Sequence, residues 1–449
     1  MSYTVEHRPG ITEFIRFRRH LLSYLADAGT RGIDIVGLSI GSRLVFQVNH
    51  PDLIHDILIA HDWNFVKGRA LRASKPVLGD GLLTSEGELH RRQRRLVQPA
   101  FHSQRLAAYA SAMVECADIA RRSWSEGSVL AIDQEMMRLT LQIVGRTLFS
   151  ADMHNDASGV GDSLTRSLHL FLMLNSPLTQ LVPPLRRLAE RRASRARAEI
   201  AVVVQKVIDE HREHPDRYDD MLSMLLRSTD EGGTGYMSDE LLLDESLTLF
   251  LAGHETTANA LTWTWYLLAQ HEDVADELYA EIDRVLAGRL PTLDDIPQLA
   301  FTSRVFHEAL RIYPPAWVIG REAVTEYRLG DVRVPASSTL VMSPFAMHRD
   351  PRFWPDPERF DPGRWKETPE SSHRPRFAFF PFGAGTRACI GEHFAMMESV
   401  LLLATLAQRW RFHLVPGQTI ELWPQITLRP RHSVQMRIEA QSSPAVHAS

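Results

Sequence analysis

"FGAGTRACIG", running from Phe382 to Gly391, is the stretch on which the fold turns. The chain has 449 residues and only two cysteines, and one of them, Cys389, stands inside this glycine-rich bend. A cysteine that merely fills a core needs no glycines on both sides. A thiolate that must meet a bulky planar ligand does, because glycine lets backbone approach closely and supplies unusual turn angles. The other cysteine, Cys116 in "MVECADIA", lies in an apolar helical pattern without a flanking glycine, the setting of an ordinary buried thiol.

The bulk numbers exclude several classes. Lys plus Arg is 50 and Asp plus Glu is 55, a formal net charge of −5, so there is no cationic surplus for nucleic acid. With 44% hydrophobic and 23% charged residues, the composition is that of an ordinary globular protein. The N-terminal stretch holds no apolar run long enough for a signal core or a membrane span, and "LLLDESLTLFLAG" is interrupted by Asp244 and Glu245. A cytoplasmic, unanchored protein is expected. Two cysteines exclude a four-cysteine zinc site or an iron–sulfur cluster. A disulfide between them is not refuted by sequence, though the implied compartment argues against it.

Outward from the bend, residues 33–47 ("IDIVGLSIGSRLVFQ") are rich in β-branched and aromatic residues and predict a small hairpin. From about Pro51 to Ala287 the pattern is overwhelmingly helical, broken by Pro and Gly at 67–84, 176–184 and 230–236. Beyond Arg311 prolines cluster and short strand-like pieces appear, interrupted by a helix from about Glu392 to Arg409. The expectation is one mainly α domain with a small β-rich region over residues 1–440, and a disordered tail, "QSSPAVHAS", over 441–449.

One helix stands out. It is expected from Ser238, a plausible N-cap followed by acids, to His271, a span of about 50 Å at 1.5 Å per residue. Gly253 in its middle costs about 1 kcal/mol against alanine. Directly after it, His254, Glu255, Thr256 and Thr257 form a polar break in an apolar rod. Such a conflict between local preference and context points to function, although a kink facing solvent would look the same. "HETTA" and "HEALR" open like zinc-protease helices but carry Ala258 and Arg311 where the second histidine belongs.

Phe382, Gly385, Arg387, Cys389 and Gly391 match F-x-x-G-x-R-x-C-x-G, with a helix following. This stretch resembles the cysteine loop of the cytochrome P450 family, and the resemblance then extends over almost the whole chain. It implies the large, mainly helical fold of that family and a haem b cofactor, with Cys389 as the axial thiolate ligand of its iron. Phe382 and Gly391 of the same loop are expected to contribute to cofactor binding, and Arg387 to pair with a haem propionate. "AGHET" (Ala252 to Thr256) resembles the oxygen-activating segment, with Glu255 as proton-relaying acid and Thr256 as the hydroxyl that meets dioxygen. Gly253 would leave room there for oxygen or substrate. "HRRQRRLVQPAFH" resembles the helix facing the propionates, giving that role to His90 and Arg94; many relatives carry tryptophan at the His90 position. Arg321, after "YPPAWVIG", is expected to do the same.

"EALR" places Glu308 and Arg311 one turn apart, a spacing that alone usually marks a surface salt bridge. By resemblance, Arg359 of "PERFDPGRW" locks with this pair in a structural network. The pocket would draw on the 67–88 loop, the 167–184 region, Phe250, Ala252, Trp317, Val318, Ile426 and Thr427. The basic run "LRRLAERRASRARAE" (185–199) reads as a solvated face. Arg91, Arg92 and Arg95 are better candidates to meet an acidic electron-transfer partner.

The resemblance thus implies a monooxygenase that inserts one atom of dioxygen into an apolar small molecule by hydroxylation or epoxidation. Terpenoids, fatty acids, steroids and polyketides remain open, with a lean to bacterial secondary metabolites such as terpenoids. Electrons would come from a separate ferredoxin or flavodoxin and its reductase. A thiolate-haem isomerase or dehydratase, a peroxygenase and a non-catalytic haem sensor are the alternatives. The intact Glu255–Thr256 pair disfavours the first two, and no signalling domain supports the last.

Overall fold

The computed structural model describes residues 3–9, 19–40, 43–151, 182–228, 237–366 and 373–441, with isolated residues between them. Most of the 167–184 region, the 230–236 break and all but the first residue of the 441–449 tail lie outside the described residues.

Ten helices of seven residues or more carry the described fold: α1 (Leu21–Thr30), α2 (Gly87–Val97), α3 (Ser103–Ser123), α4 (Ile132–Leu148), α5 (Pro183–Glu213), α6 (Met221–Arg227), α7 (Asp239–Leu268), α8 (Glu272–Leu286), α9 (Ala300–Ile312) and α10 (Glu392–Ala407). The strands are short: β1 (Val5–Pro9), β2 (Ile35–Ile40), β3 (Arg43–Val48), β4 (Phe65–Lys67), β5 (Val129–Ala131), β6 (Ile319–Ala323), β7 (Tyr327–Leu329), β8 (Val332–Val334), β9 (Thr339–Met342), β10 (Trp410–Leu414), β11 (Leu422–Pro424), β12 (Leu428–Pro430) and β13 (Gln435–Ala440). The expected hairpin is β2–β3, but it is the middle of a larger sheet ordered β1-β2-β3-β9-β6-β4. β1 joins β2 in parallel and β9 joins β3 in parallel, pairings between distant segments that no local pattern announces.

α7 is the axis of the molecule. Ser238 caps it, its Oγ accepting from the Leu241 amide at 3.3 Å, and Asp239 and Glu240 follow in the first turn. The helix runs unbroken through residues 253–257, so the expected polar break is no kink. His254, Glu255 and Thr257 are buried along with most of the helix, the pattern of a rod enclosed on nearly all sides. It packs along α4, and also meets α9, α5 and α10.

The close approach to α4 explains Gly253. A Cβ there would stand 2.8 Å from Val144 Cγ2. The expected role of leaving space for oxygen or substrate is therefore corrected: the glycine admits the neighbouring helix.

Asp244 and Glu245 also have a purpose. The Asp80 amide donates to Asp244 Oδ2 at 2.7 Å and the Leu82 amide to Glu245 Oε2 at 2.9 Å, so two buried acids of α7 hold the 79–86 loop.

Candidate functional site

The cysteine loop is closed by the Cys389 amide donating to the Phe382 carbonyl at 2.8 Å. Gly383 and Gly385 take φ of +67° and +71°, and a Cβ on Gly385 would run into the Leu58 carbonyl. These are the positions at which the bend requires glycine. Gly391, at φ −95°, caps α10. Phe382 is half-buried against the main core.

The Cys389 residue keeps exposed surface. Burial of its sulfur nonetheless pushes the thiol up to about 11, while the Gly391 amide and Arg94 pull it back and Glu392 opposes them. At neutral pH the protein alone leaves this a thiol, and a coordinated metal cation would remove the proton. Arg94 donates Nη1 to the Ala388 carbonyl at 2.7 Å, which places it against the cysteine loop, and its charge also bears on His90.

Lys67, His90, Arg321 and Arg387 gather in one buried region. β4 pairs with β6 so that Lys67 stands directly opposite Arg321, an arrangement of like charges that by itself is destabilising. Burial, against Glu86, brings Lys67 down to about 7, with Arg387 and Arg321 adding to the fall. Burial and then Arg387 lower Arg321 to about 10. Burial followed by Lys67 and Arg387 lowers His90 to about 4, leaving it a neutral imidazole. Glu86 is the acid facing them; its Oε2 accepts from Arg387 Nη2 at 2.9 Å. Lys67 Nζ reaches only neutral carbonyls, of Leu82 at 2.9 Å and Ser85 at 2.6 Å. Glu86, with Asp62 and Glu245 contributing less, leaves the basic groups Lys67, Arg321 and Arg387 in excess over acids that bind them directly. A dianionic group set between β4, β6, α2 and the cysteine loop would balance them, so the residues present fit the two propionates of a haem. Lys67 and Glu86 were not foreseen, since a lone lysine at a strand end carries no signal in a single sequence.

On α7, Ala252 and Thr256 share one face, and both keep accessible surface in a helix that is mostly buried. Thr256 Oγ1 donates to the Ala252 carbonyl at 2.8 Å. Glu255 turns to the other side. Its Oε1 accepts from Thr427 Oγ1 at 2.5 Å and Arg429 Nη2 at 2.7 Å, and the Thr427 hydroxyl accepts from Asn259 Nδ2 at 3.2 Å. Thr427 is therefore no pocket residue but a buried partner of the acid. Phe250 is likewise corrected, being buried and stacked on Phe149 at 4.0 Å. Trp317 is buried as well and donates its indole N–H to the Gln425 carbonyl at 2.9 Å, which fixes the turn bearing Ile426. Ala252, Val318 and Ile426 retain exposed surface.

Behind the loop, Glu308 and Arg311 form a fully buried two-point pair at 2.8 and 2.9 Å. Arg359 does not complete it: its side chain is exposed and only its carbonyl is used, accepting from Arg311 Nη2 at 3.0 Å. Arg364 is the third member, its Nε 3.3 Å from Glu308 Oε1, with Trp365 Nε1 donating to Glu308 Oε2 at 2.9 Å. The literal "PERF" string misled because a second arginine follows five residues later.

The family model for cytochrome P450 matches residues 9–435. The chain belongs to the cytochrome P450 family. It is 39% identical over 419 residues to cyclooctatin synthase of Streptomyces melanosporofaciens, covering 91% of this chain and 89% of that one. To pentalenene oxygenase of Streptomyces avermitilis it is 35% identical, over 96% and 94% of the two chains. Among solved structures it is similar to the cytochrome P450DA heme domain, with a TM-score of 0.87, 26% identity and coverage of 98% and 99%. This P450 is accordingly a haem-dependent monooxygenase that uses dioxygen, redox partners and a small-molecule substrate. Among the described residues no helix is long and apolar enough to cross a membrane.

Proposed function

We propose that this P450 hydroxylates or epoxidises a terpenoid, using haem b held through Cys389, with electrons from a separate ferredoxin or flavodoxin and its reductase. The site assignment is carried by the buried cation excess at Lys67, Arg321 and Arg387, two residues before the cysteine in the case of Arg387. The substrate class rests on relatives named for such work, cyclooctat-9-en-7-ol 5-monooxygenase and pentalenene oxygenase.

In this reading Lys67, Arg321 and Arg387 neutralise the propionates, and neutral His90 donates one hydrogen bond to them. Bound there, the haem supplies reductive activation of dioxygen. The chain supplies position and protons. Thr256 can exchange its bond to the Ala252 carbonyl for one to a polar ligand on that face, offering a proton at Oγ1. Glu255, adjacent in the chain, is bound to the Arg429 guanidinium, and a side-chain turn away from it would bring the acid to the same proton. Ala252, Val318 and Ile426 keep accessible apolar surface of the kind that suits a hydrocarbon skeleton. Arg91, Arg92 and Arg95 on α2 offer an acidic redox protein a basic approach.

The test is a spectral titration against sesquiterpene and diterpene olefins and alcohols, followed by turnover of the binders. Thr256→Ala is expected to keep substrate binding while diverting electrons to peroxide. Full coupling in that variant would remove Thr256 from the proton path. A panel in which only fatty acids or steroids shift the spectrum would overturn the terpenoid assignment.

A further inference from the structure

We propose that the side chain of Gln425 anchors a hydroxyl group of the substrate, so that the molecule this P450 oxidises is a terpenoid alcohol and not a bare hydrocarbon. The inference deepens the reading above and rests on it for the skeleton. Its evidence is one carboxamide and what holds it in place.

Gln425, Ile426 and Thr427 are the three residues that join β11 to β12. This hairpin tip is wedged between two walls of the candidate site. On one side the Trp317 indole donates to the Gln425 carbonyl at 2.9 Å, and the Leu428 amide donates to the Pro315 carbonyl at 2.9 Å. On the other side Trp263 of α7 donates to the Leu428 carbonyl at 2.9 Å, and Thr427 meets Glu255 and Asn259. Asn259 lies one turn along α7 from Thr256, and Ile426 and Val318 keep accessible surface beside the tip. The Gln425 backbone is satisfied as well, its amide donating to the Thr427 carbonyl at 3.1 Å. Its carboxamide is not. Gln425 is 4% exposed, and neither Nε2 nor Oε1 has a hydrogen-bond partner among the described residues. No other described carboxamide is buried with both of its atoms unpartnered.

A buried amide left in this state works against the fold, because both atoms give up water and gain nothing. Leucine or methionine would fill the same place without that penalty. Such a conflict between residue and surroundings points to a partner from outside the chain. The chemistry of the group selects the partner. Nε2 only donates and Oε1 only accepts, and a hydroxyl can answer either of them. An olefin answers neither. A carboxylate would be met by Nε2 and repelled by Oε1, and Arg429 of the same hairpin is already bound to Glu255 at 2.7 Å. An alcohol held at the tip fixes one end of an apolar skeleton while another carbon is presented beside Thr256, which sets the position of oxidation. The reaction that supplies the substrate must then be one that leaves oxygen on a terpene skeleton, either a cyclisation ended by capture of water or an earlier hydroxylation.

The experiment is equilibrium dialysis of the full haem-loaded chain against matched pairs of ligands: cedrol with cedrene, phytol with phytene, and 1-dodecanol with 1-dodecene as a pair outside the terpenoids. The parent is expected to bind the terpenoid alcohols tighter than their olefins by about tenfold or more. Gln425→Leu should bring that ratio to within about threefold by weakening the alcohols and leaving the olefins as they were. Gln425→Met, closer in shape, should do the same, and the carbon monoxide spectrum shows whether each variant holds its haem. Equal binding of alcohol and olefin by the parent overturns the inference. A preference that survives both substitutions overturns it too, as does a loss of affinity shared by alcohol and olefin, which would mark damage to the pocket. A preference for 1-dodecanol that depends on Gln425, with no terpenoid bound, would leave the anchor standing and remove the terpenoid reading.

Discussion

Arg359 and Arg364 stand in one nine-residue stretch, yet only one of their side chains reaches the buried Glu308. The choice is made by a turn: Asp361 Oδ1 accepts from the Gly363 amide at 2.9 Å, and the following 3-10 turn aims Arg364 and Trp365 inward. Arg311 still pairs Glu308 when Arg364 is removed, so Arg364→Ala, which loses one buried contact, should cost about 1–2 kcal/mol in urea unfolding. Arg359→Ala, which keeps its carbonyl, should stay within about 0.5 kcal/mol. Equal effects would return Arg359 to the network. Cys389→Ser should abolish the thiolate-type carbon monoxide spectrum, and an unchanged spectrum would discard the ligand assignment. At this scale the sequence was legible where chemistry is local, as in Glu308 with Arg311 one turn on, or Cys389 among its glycines. It was not legible for Lys67, whose meaning depends on Arg321 more than 250 residues later.

Among elements, α7 and α10 were foreseen with ends close to those observed, because capping, acids and apolar content are written along the chain. Their neighbours were not. The Gly253 contact belongs to the pairing of α7 with α4, and Val144 gives no sign in sequence that it lies opposite. Gly253→Ala would gain about 1 kcal/mol in helix propensity, but it forces a stiff β-branched side chain aside, an overpacking that costs about 1–3 kcal/mol. The variant should therefore be destabilised in the parent and stabilised when Val144→Ala is also present, measured as Tm. Destabilisation in both backgrounds would show that the glycine serves something other than this contact. β1 and the parallel register of β3 with β9 were illegible for the same reason: strand partners are chosen across the whole chain, and short strands carry little local preference.

For the molecule as a whole, the buried charges of α7 set a pH dependence. Burial raises Glu245 from 4.5 to about 8, and neighbouring Asp244 adds to this, against the Leu82 amide and Lys67. The folded chain therefore holds a proton that the unfolded chain releases. Stability from this group is complete below about pH 4.5 and is lost as pH rises through 8. Glu245→Gln should remove that loss, so the Tm difference between variant and parent should grow in the variant's favour from pH 5 to 8. A constant difference would mean that Glu245 is ionised in the fold. The crowding of Lys67, Arg321 and Arg387 has a consequence of another kind, in the order of events during biosynthesis. A polypeptide that leaves the ribosome ahead of its porphyrin must keep mutually repelling guanidinium and ammonium groups together in a dry place, so the last stage of its maturation waits on iron and porphyrin supply. In a cell starved of either, the newly made chain should accumulate as an early target for proteolysis.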